Sequence, residues 1–167
     1  MEVAVSFALM NFSLSMFVLA ILFFLFDRLI GAFRQQALPG YTMLFRWLAL
    51  FSLGITGLYA FVMHAFFPDF TASVSGWSNS PFQFEVAVAN LGFGLLGVLA
   101  FSASYGFRVA TVIGNLCWLW GDAVEHIYQM IINHNYAIGN AGSWFWTDIL
   151  VPLILLICII KMRKHAA

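Results

Sequence analysis

Five apolar stretches, each long enough to cross a bilayer, limit the fold of this chain more than any single motif does. A spanning helix needs about 20 mostly apolar residues. Runs of that size cover approximately Val5 to Phe26, Met43 to Phe67, Phe84 to Tyr105, Phe107 to Asn133 and Trp144 to Ile160. The first stops at Asp27-Arg28, the second at Pro68-Asp69, and the last at Lys161, Arg163 and Lys164; Gly106 permits a tight turn between the third and fourth. The fourth run is less apolar in its second half. In lipid each backbone polar group must be satisfied internally, which leaves helices as the form such runs can take. The sequence therefore predicts an all-α transmembrane helical bundle of five spans, a single transmembrane domain over residues 1–167.

Composition agrees. Hydrophobic residues make up 63% of the chain and charged residues 8%, against about a quarter charged in an average soluble domain. A soluble enzyme, a nucleic-acid binder and a disordered regulator are excluded on that ground. Seven Lys/Arg balance seven Asp/Glu, so no net field draws the chain to polyanions. Cys117 and Cys158 both lie in apolar runs and match no zinc motif or disulfide framework.

Orientation follows from the positive charges, which are retained on the cytoplasmic side. With five spans, Arg28, Arg34, Arg46, Arg108, Lys161, Arg163 and Lys164 all fall at one face, and the opposite loops, Pro68 to Pro81 and His134 to Ser143, hold none. The expected topology is N-terminus outside and C-terminus cytoplasmic. The first run has no basic n-region and no A-x-A-like cleavage site, so it reads as an anchor and not a removed signal. No internal repeat suggests an inverted-repeat transporter.

The acids and histidines collect on the side opposite the basic residues. Glu2, Asp69, Glu85, Asp122, Glu125 and Asp148 belong to the outer half or outer loops, as do His64, His126 and His134; Asp27 and His165 lie inside. Ionisable groups at membrane depth are expensive, so they face the bundle interior, pair with one another and mark function. In the fourth run Asn115, Asp122, His126, Gln129 and Asn133 share one helical face, with Glu125 on its edge. At 1.5 Å per residue, His64 lies ~6 Å below Pro68, Asn90 ~7 Å below Glu85, and Asp148 ~6 Å in from Trp144. Asp122 and His126 lie roughly 10–15 Å from the outer end of their span. Four helices thus can aim these groups at one outward-opening pocket.

Glycines at 54, 57, 92, 94 and 97 let helices approach closely. Trp77, Trp144 and Trp146 suit an outer aromatic belt, and Trp118 and Trp120 lie deeper, where they can line the pocket. The run Gly139-Asn140-Ala141-Gly142 reads as a turn that caps it.

Three chemistries use such a pocket. As a metal site it takes His64, Glu85, Asp122, His126 and Asp148 as ligands, a set suited to Zn, Fe, Mn or Cu(II), although no H-E-x-x-H or repeated Glu-x-x-His spacing is present. As a b-type haem site it takes His64 and His126 as axial ligands, provided both imidazoles stand free of the neighbouring acids. As a binding or transport site, Asn90, Trp118, Glu125, Gln129 and Asn133 hold a cation, a proton or a small polar or quinone-like molecule; no basic residue in that half provides for an anion. The bland counterpart is a hydrogen-bonded polar cluster that fixes helix register. A polar stripe that docks a partner helix, or a second copy, makes the chain a non-catalytic membrane subunit. Hydrolase and dinucleotide motifs are missing, since Gly92-x-Gly94-x-x-Gly97 lies inside a span with no strand before it.

Two stretches carry a resemblance: Ser80-Pro81-Phe82-Gln83-Phe84-Glu85-Val86-Ala87-Val88-Ala89-Asn90, and Gly121-Asp122-Ala123-Val124-Glu125-His126-Ile127-Tyr128-Gln129. They resemble a family of small bacterial multi-pass integral-membrane proteins of unknown function, over about Trp77 to Ile157. The resemblance implies a bacterial inner (plasma) membrane location and implies no activity. By size and helix count alone, the chain is also similar to small bundle proteins that accompany membrane redox enzymes.

Overall fold

The computed structural model describes residues 7–34 and 38–163, which form helices and connecting turns with no strand among them. In chain order these are α1 (Phe12–Arg34), α2 (Gly40–Phe66), α3 (Pro68–Ser75), α4 (Phe82–Ala100), α5 (Tyr105–Ile132), α6 (Ile138–Ala141) and α7 (Ser143–Arg163). Four helical segments are both long and apolar enough to cross a membrane: Phe12–Gly31, Gly40–Phe66, Phe82–Ala100 and Ile138–Arg163, the last joining α6 to α7. The fifth long helix, α5, has 28 residues, which extends about 42 Å. It carries Arg108, Asn115, Asp122, Glu125, His126 and Gln129 along that length, and this run of polar residues makes it less apolar than the other four.

Several boundaries differ from the sequence expectation. Val5, the expected start of the first span, lies outside the described residues, as do Glu2, Lys164 and His165. α1 continues past Asp27-Arg28 to Arg34, because Asp27 is satisfied from the side, accepting a hydrogen bond from Trp47 Nε1 at 3.2 Å. α4 stops at Ala100, not near Tyr105, and Gly106 is no turn but belongs to the first turn of α5. What ends α4 is Arg108, whose guanidinium donates to the carbonyls of Ala100 and Phe101, both at 3.1 Å. A cation there satisfies carbonyls that have no intrahelical partner and complements the helix dipole.

The middle of α2, Leu48–Ile55, is π-helical. Thr56 Oγ1 donates to the carbonyl of Phe51, five residues back, at 3.0 Å. Single π-helical turns inside α-helices are uncommon and concentrate at functional sites. α2 packs chiefly on α4, and α5 chiefly on α7. Glycines close the first of these contacts: a Cβ on Gly97 would lie 2.6 Å from the Gly54 nitrogen, and one on Gly57 would lie 2.8 Å from the Gly94 Cα. Gly92, by contrast, faces open space. At the arginine-bearing end, Phe45, Leu48, Val112, Val151 and Leu155 form a fully buried apolar core. At the opposite end α3, α6 and their flanking turns lie across the bundle. Gly139 backs directly onto Ser75, where a Cβ would come within 3.0 Å of its Cα, and Asn135 Nδ2 donates to the Ser75 carbonyl at 2.8 Å. One end of the molecule is packed mainly with apolar side chains, and the other encloses polar ones.

Candidate metal site

Two residues one turn apart on α5 and one on α7 converge beneath this cap. Asp122 and His126 are an i,i+4 pair, which places both on one helical face, and α7 brings Asp148 against it. His126 and Asp148 are buried and Asp122 is half-buried. His126 Nε2 lies 3.8 Å from Asp122 Oδ2 and 3.8 Å from Asp148 Oδ2. One ligand atom from each of the three lies within 4.8 Å of the others.

The protonation pattern of His126 follows from its other neighbour. The indole of Trp77 can only donate, and its Nε1 meets Asn140 at 2.8 Å. The facing atom is therefore the amide oxygen, Oδ1. The same oxygen lies 2.9 Å from His126 Nδ1, so Nδ1 carries the hydrogen and donates it. The remaining half of the amide is consistent with this orientation, because Asn140 Nδ2 donates to the carbonyls of Asn135 at 2.8 Å and His126 at 3.3 Å. In a neutral imidazole the second nitrogen, Nε2, then presents its lone pair to the two carboxylates. A ring held through one nitrogen so that the other is offered is the arrangement found around metal-ligating histidines. Trp77 and Phe145 wall the ring, with centroids 5.3 and 6.3 Å away.

Three acceptors facing one another repel unless a cation or a proton stands among them. The 3.8 Å separations are too long for direct hydrogen bonds. Ligand atoms around a four-coordinate zinc stand about 3.3–3.6 Å apart, given metal–ligand distances near 2.0–2.2 Å. The two His126 gaps are within a few tenths of an ångström of that spacing, and all three ligand atoms lie within 4.8 Å of one another.

The other expected residues divide into two groups. His64, Asn90 and Trp118 line the same cavity of about 290 Å³ as Asp122, His126 and Asp148. His64 Nδ1 makes a short contact with Gln83 Oε1, Asn90 Nδ2 donates to the Val86 carbonyl at 3.0 Å, and Trp118 stacks on Phe93 with centroids 5.6 Å apart. Glu85, Glu125, Gln129 and Asn133 do not line it. Glu85 is exposed on α4. Glu125, Gln129 and Asn133 form their own ladder along α5: Gln129 Nε2 donates to Glu125 Oε1 at 2.8 Å, and Asn133 Nδ2 to Gln129 Oε1 at 2.6 Å. The polar stripe of α5 is thus split, with Asn115, Asp122 and His126 turned inward and the ladder left on the surface. Trp120 also faces outward, donating to the Ile149 carbonyl at 3.3 Å. With carboxylates at its Nε2 and Asn140 at its Nδ1, His126 lacks the clear face an axial haem ligand needs.

Asn140 was expected only within a turn capping the pocket and Trp77 only in the outer aromatic belt; neither was expected to hold His126. An asparagine between glycines reads as an ordinary turn, and a tryptophan near an interface as a belt residue. Only the fold of α6 across the bundle end joins them to His126.

The family model of DUF6790, a family of unknown function, matches residues 10–167, and the chain belongs to that family. No curated protein and no solved structure matches it.

Proposed function

We propose that this member of DUF6790 is a five-span protein of a bacterial plasma membrane that binds a divalent transition metal at Asp122, His126 and Asp148, on the extracytoplasmic side. The observation that carries the reading is the fixed orientation of His126, whose Nε2 is offered to two carboxylates by the Asn140–Trp77 pair. Two oxygens and one nitrogen suit Zn, Fe, Mn or Cu(II). Three protein ligands with a free position distinguish catalytic or exchanging sites from closed structural ones, and the reading is supported by the cavity that the three residues line. The segregation of Arg28, Arg46, Arg108, Lys161 and Arg163 to the other end supports a cytoplasmic C-terminus and a fifth span made by α5.

The competing occupant of the triad is a proton, which converts His126 into an imidazolium between two carboxylates and makes the cluster a register-fixing ion pair. In that case the surface ladder Glu125–Gln129–Asn133 is the face on which a partner helix or a second copy would dock. Elemental mass spectrometry on protein purified in mild detergent separates the two. The metal reading expects about one equivalent of metal in the wild type and none in an Asp122→Asn/His126→Ala double variant of unchanged helicity. Absence of metal after incubation with Zn, Fe, Mn and Cu refutes it.

A further inference from the structure

The cavity does not end at the metal ligands. Asn115 also lines it and stands two turns below Asp122 on α5, about 10 Å away. Across from it, Ser52 lines the same cavity from the π-helical segment of α2. The two stand at similar depth. Trp118 stacks on Phe93 while the adjacent Gly94 packs on Gly57, which puts Trp118 and Gly57 at one level; Asn115 lies ~4 Å and Ser52 ~7 Å below it. Ser52 is 7% exposed; its hydroxyl has no hydrogen-bond partner and is closed off from the cavity, so a ligand meets it only when the side chain turns. Ser13, 3% exposed and equally without a partner for its hydroxyl, reaches the cavity from α1 partway up. Buried hydroxyls are normally satisfied by protein or by something bound.

Between floor and metal ligands the walls are apolar, with Leu53, Phe93, Trp118 and Val151 among them. A volume of about 290 Å³ lies at the lower end of the range for small-molecule sites, which combine apolar walls with a few placed polar groups. Charge narrows the class further. Two carboxylates and a neutral imidazole balance the charge of a divalent ion, so an anionic ligand would leave net charge in a low-dielectric site, whereas a neutral oxygen donor would not.

We infer that the cavity takes an elongated neutral molecule with an oxygen at each end and a mostly apolar middle, one oxygen completing the metal's coordination and the other hydrogen-bonded to Ser52. The inference rests on the metal reading above. Its length requirement is set by the roughly 10–13 Å between the metal ligands and the floor, an interval that an extended eight-carbon diol spans.

Cobalt(II) reports its own coordination through its visible absorption, so the test uses cobalt-loaded protein in lipid nanodiscs titrated with 1,8-octanediol and with 1-octanol. Both alcohols should perturb the cobalt bands. Comparing wild type with variant for each alcohol cancels its partitioning into lipid. Ser52→Ala should raise the half-saturating diol concentration roughly three- to tenfold, as loss of one buried hydrogen bond does, and leave 1-octanol unchanged. Ser52→Thr, which keeps a hydroxyl, should retain the diol affinity. Cobalt bands that neither alcohol moves assign the space to water and overturn the inference, as does an equal response of both alcohols to Ser52→Ala. Those results leave the metal reading standing; a protein that acquires no cobalt bands at all overturns both.

Discussion

Replacing Asn140 separates the proposed metal site from a purely structural cluster. Asn140 makes four hydrogen bonds: its oxygen accepts from Trp77 and His126 at 2.8 and 2.9 Å, and its nitrogen donates to Asn135 and His126 carbonyls at 2.8 and 3.3 Å. Asn140→Ala removes all of them from a residue that is 0% exposed. A typical intramolecular hydrogen bond contributes ~0.5–1.5 kcal/mol net, and a buried group left without a partner costs ~1–3 kcal/mol. Trp77 and Asn135 are half-buried and regain water, so the destabilisation should be about 2–4 kcal/mol. The metal effect is distinct, because loss of a residue that orients a ligating histidine lowers affinity ~10–100-fold. Asn140→Asp is the informative partner. Its carboxylate still accepts from Trp77 and His126, so metal affinity should return to wild type or above. Stability should not recover, because both donors to the carbonyls are missing. Chelator competition reads the affinity and a thermal melt in detergent reads the stability. An Asn140→Ala protein that binds metal as tightly as wild type refutes the argument that this amide sets the tautomer of His126. Parallel movement of affinity and stability in both variants refutes it equally.

Two further outcomes follow from the same geometry. All three ligands must be deprotonated to coordinate a metal, so affinity should fall as the pH is lowered from about 8 to about 5; an affinity by chelator competition that is flat over this range refutes coordination by protonatable side chains. For the topology, in a background lacking Cys117 and Cys158, a membrane-impermeant thiol reagent should label Ser78→Cys in intact cells and Arg163→Cys only after permeabilisation, and the reverse pattern inverts the proposed orientation.

What the sequence determined by itself is what depends on composition along the chain. The long apolar runs specify helices because lipid offers the backbone no other partner, and residues such as Gly54, Gly57, Gly94 and Gly97 mark a close helix contact because only a missing side chain permits it. Asp122 and His126 were legible as a pair because four residues on a helix return to the same face. Periodicity could not tell which part of the α5 stripe would be covered. The helix is turned so that Asn115, Asp122 and His126 meet the cavity while Glu125, Gln129 and Asn133 bond among themselves on the surface, and that rotation is set by how α5 packs on α7. The end of α4 was likewise misplaced, because the side chain that satisfies its last carbonyls, Arg108, comes from the next helix. The orientation of His126 lay furthest from reach. It requires Trp77, Asn140 and the imidazole, widely separated along the chain, to meet around one amide oxygen, and hydrogen-bond donors and acceptors acquire that kind of meaning only when tertiary packing decides which of them face each other.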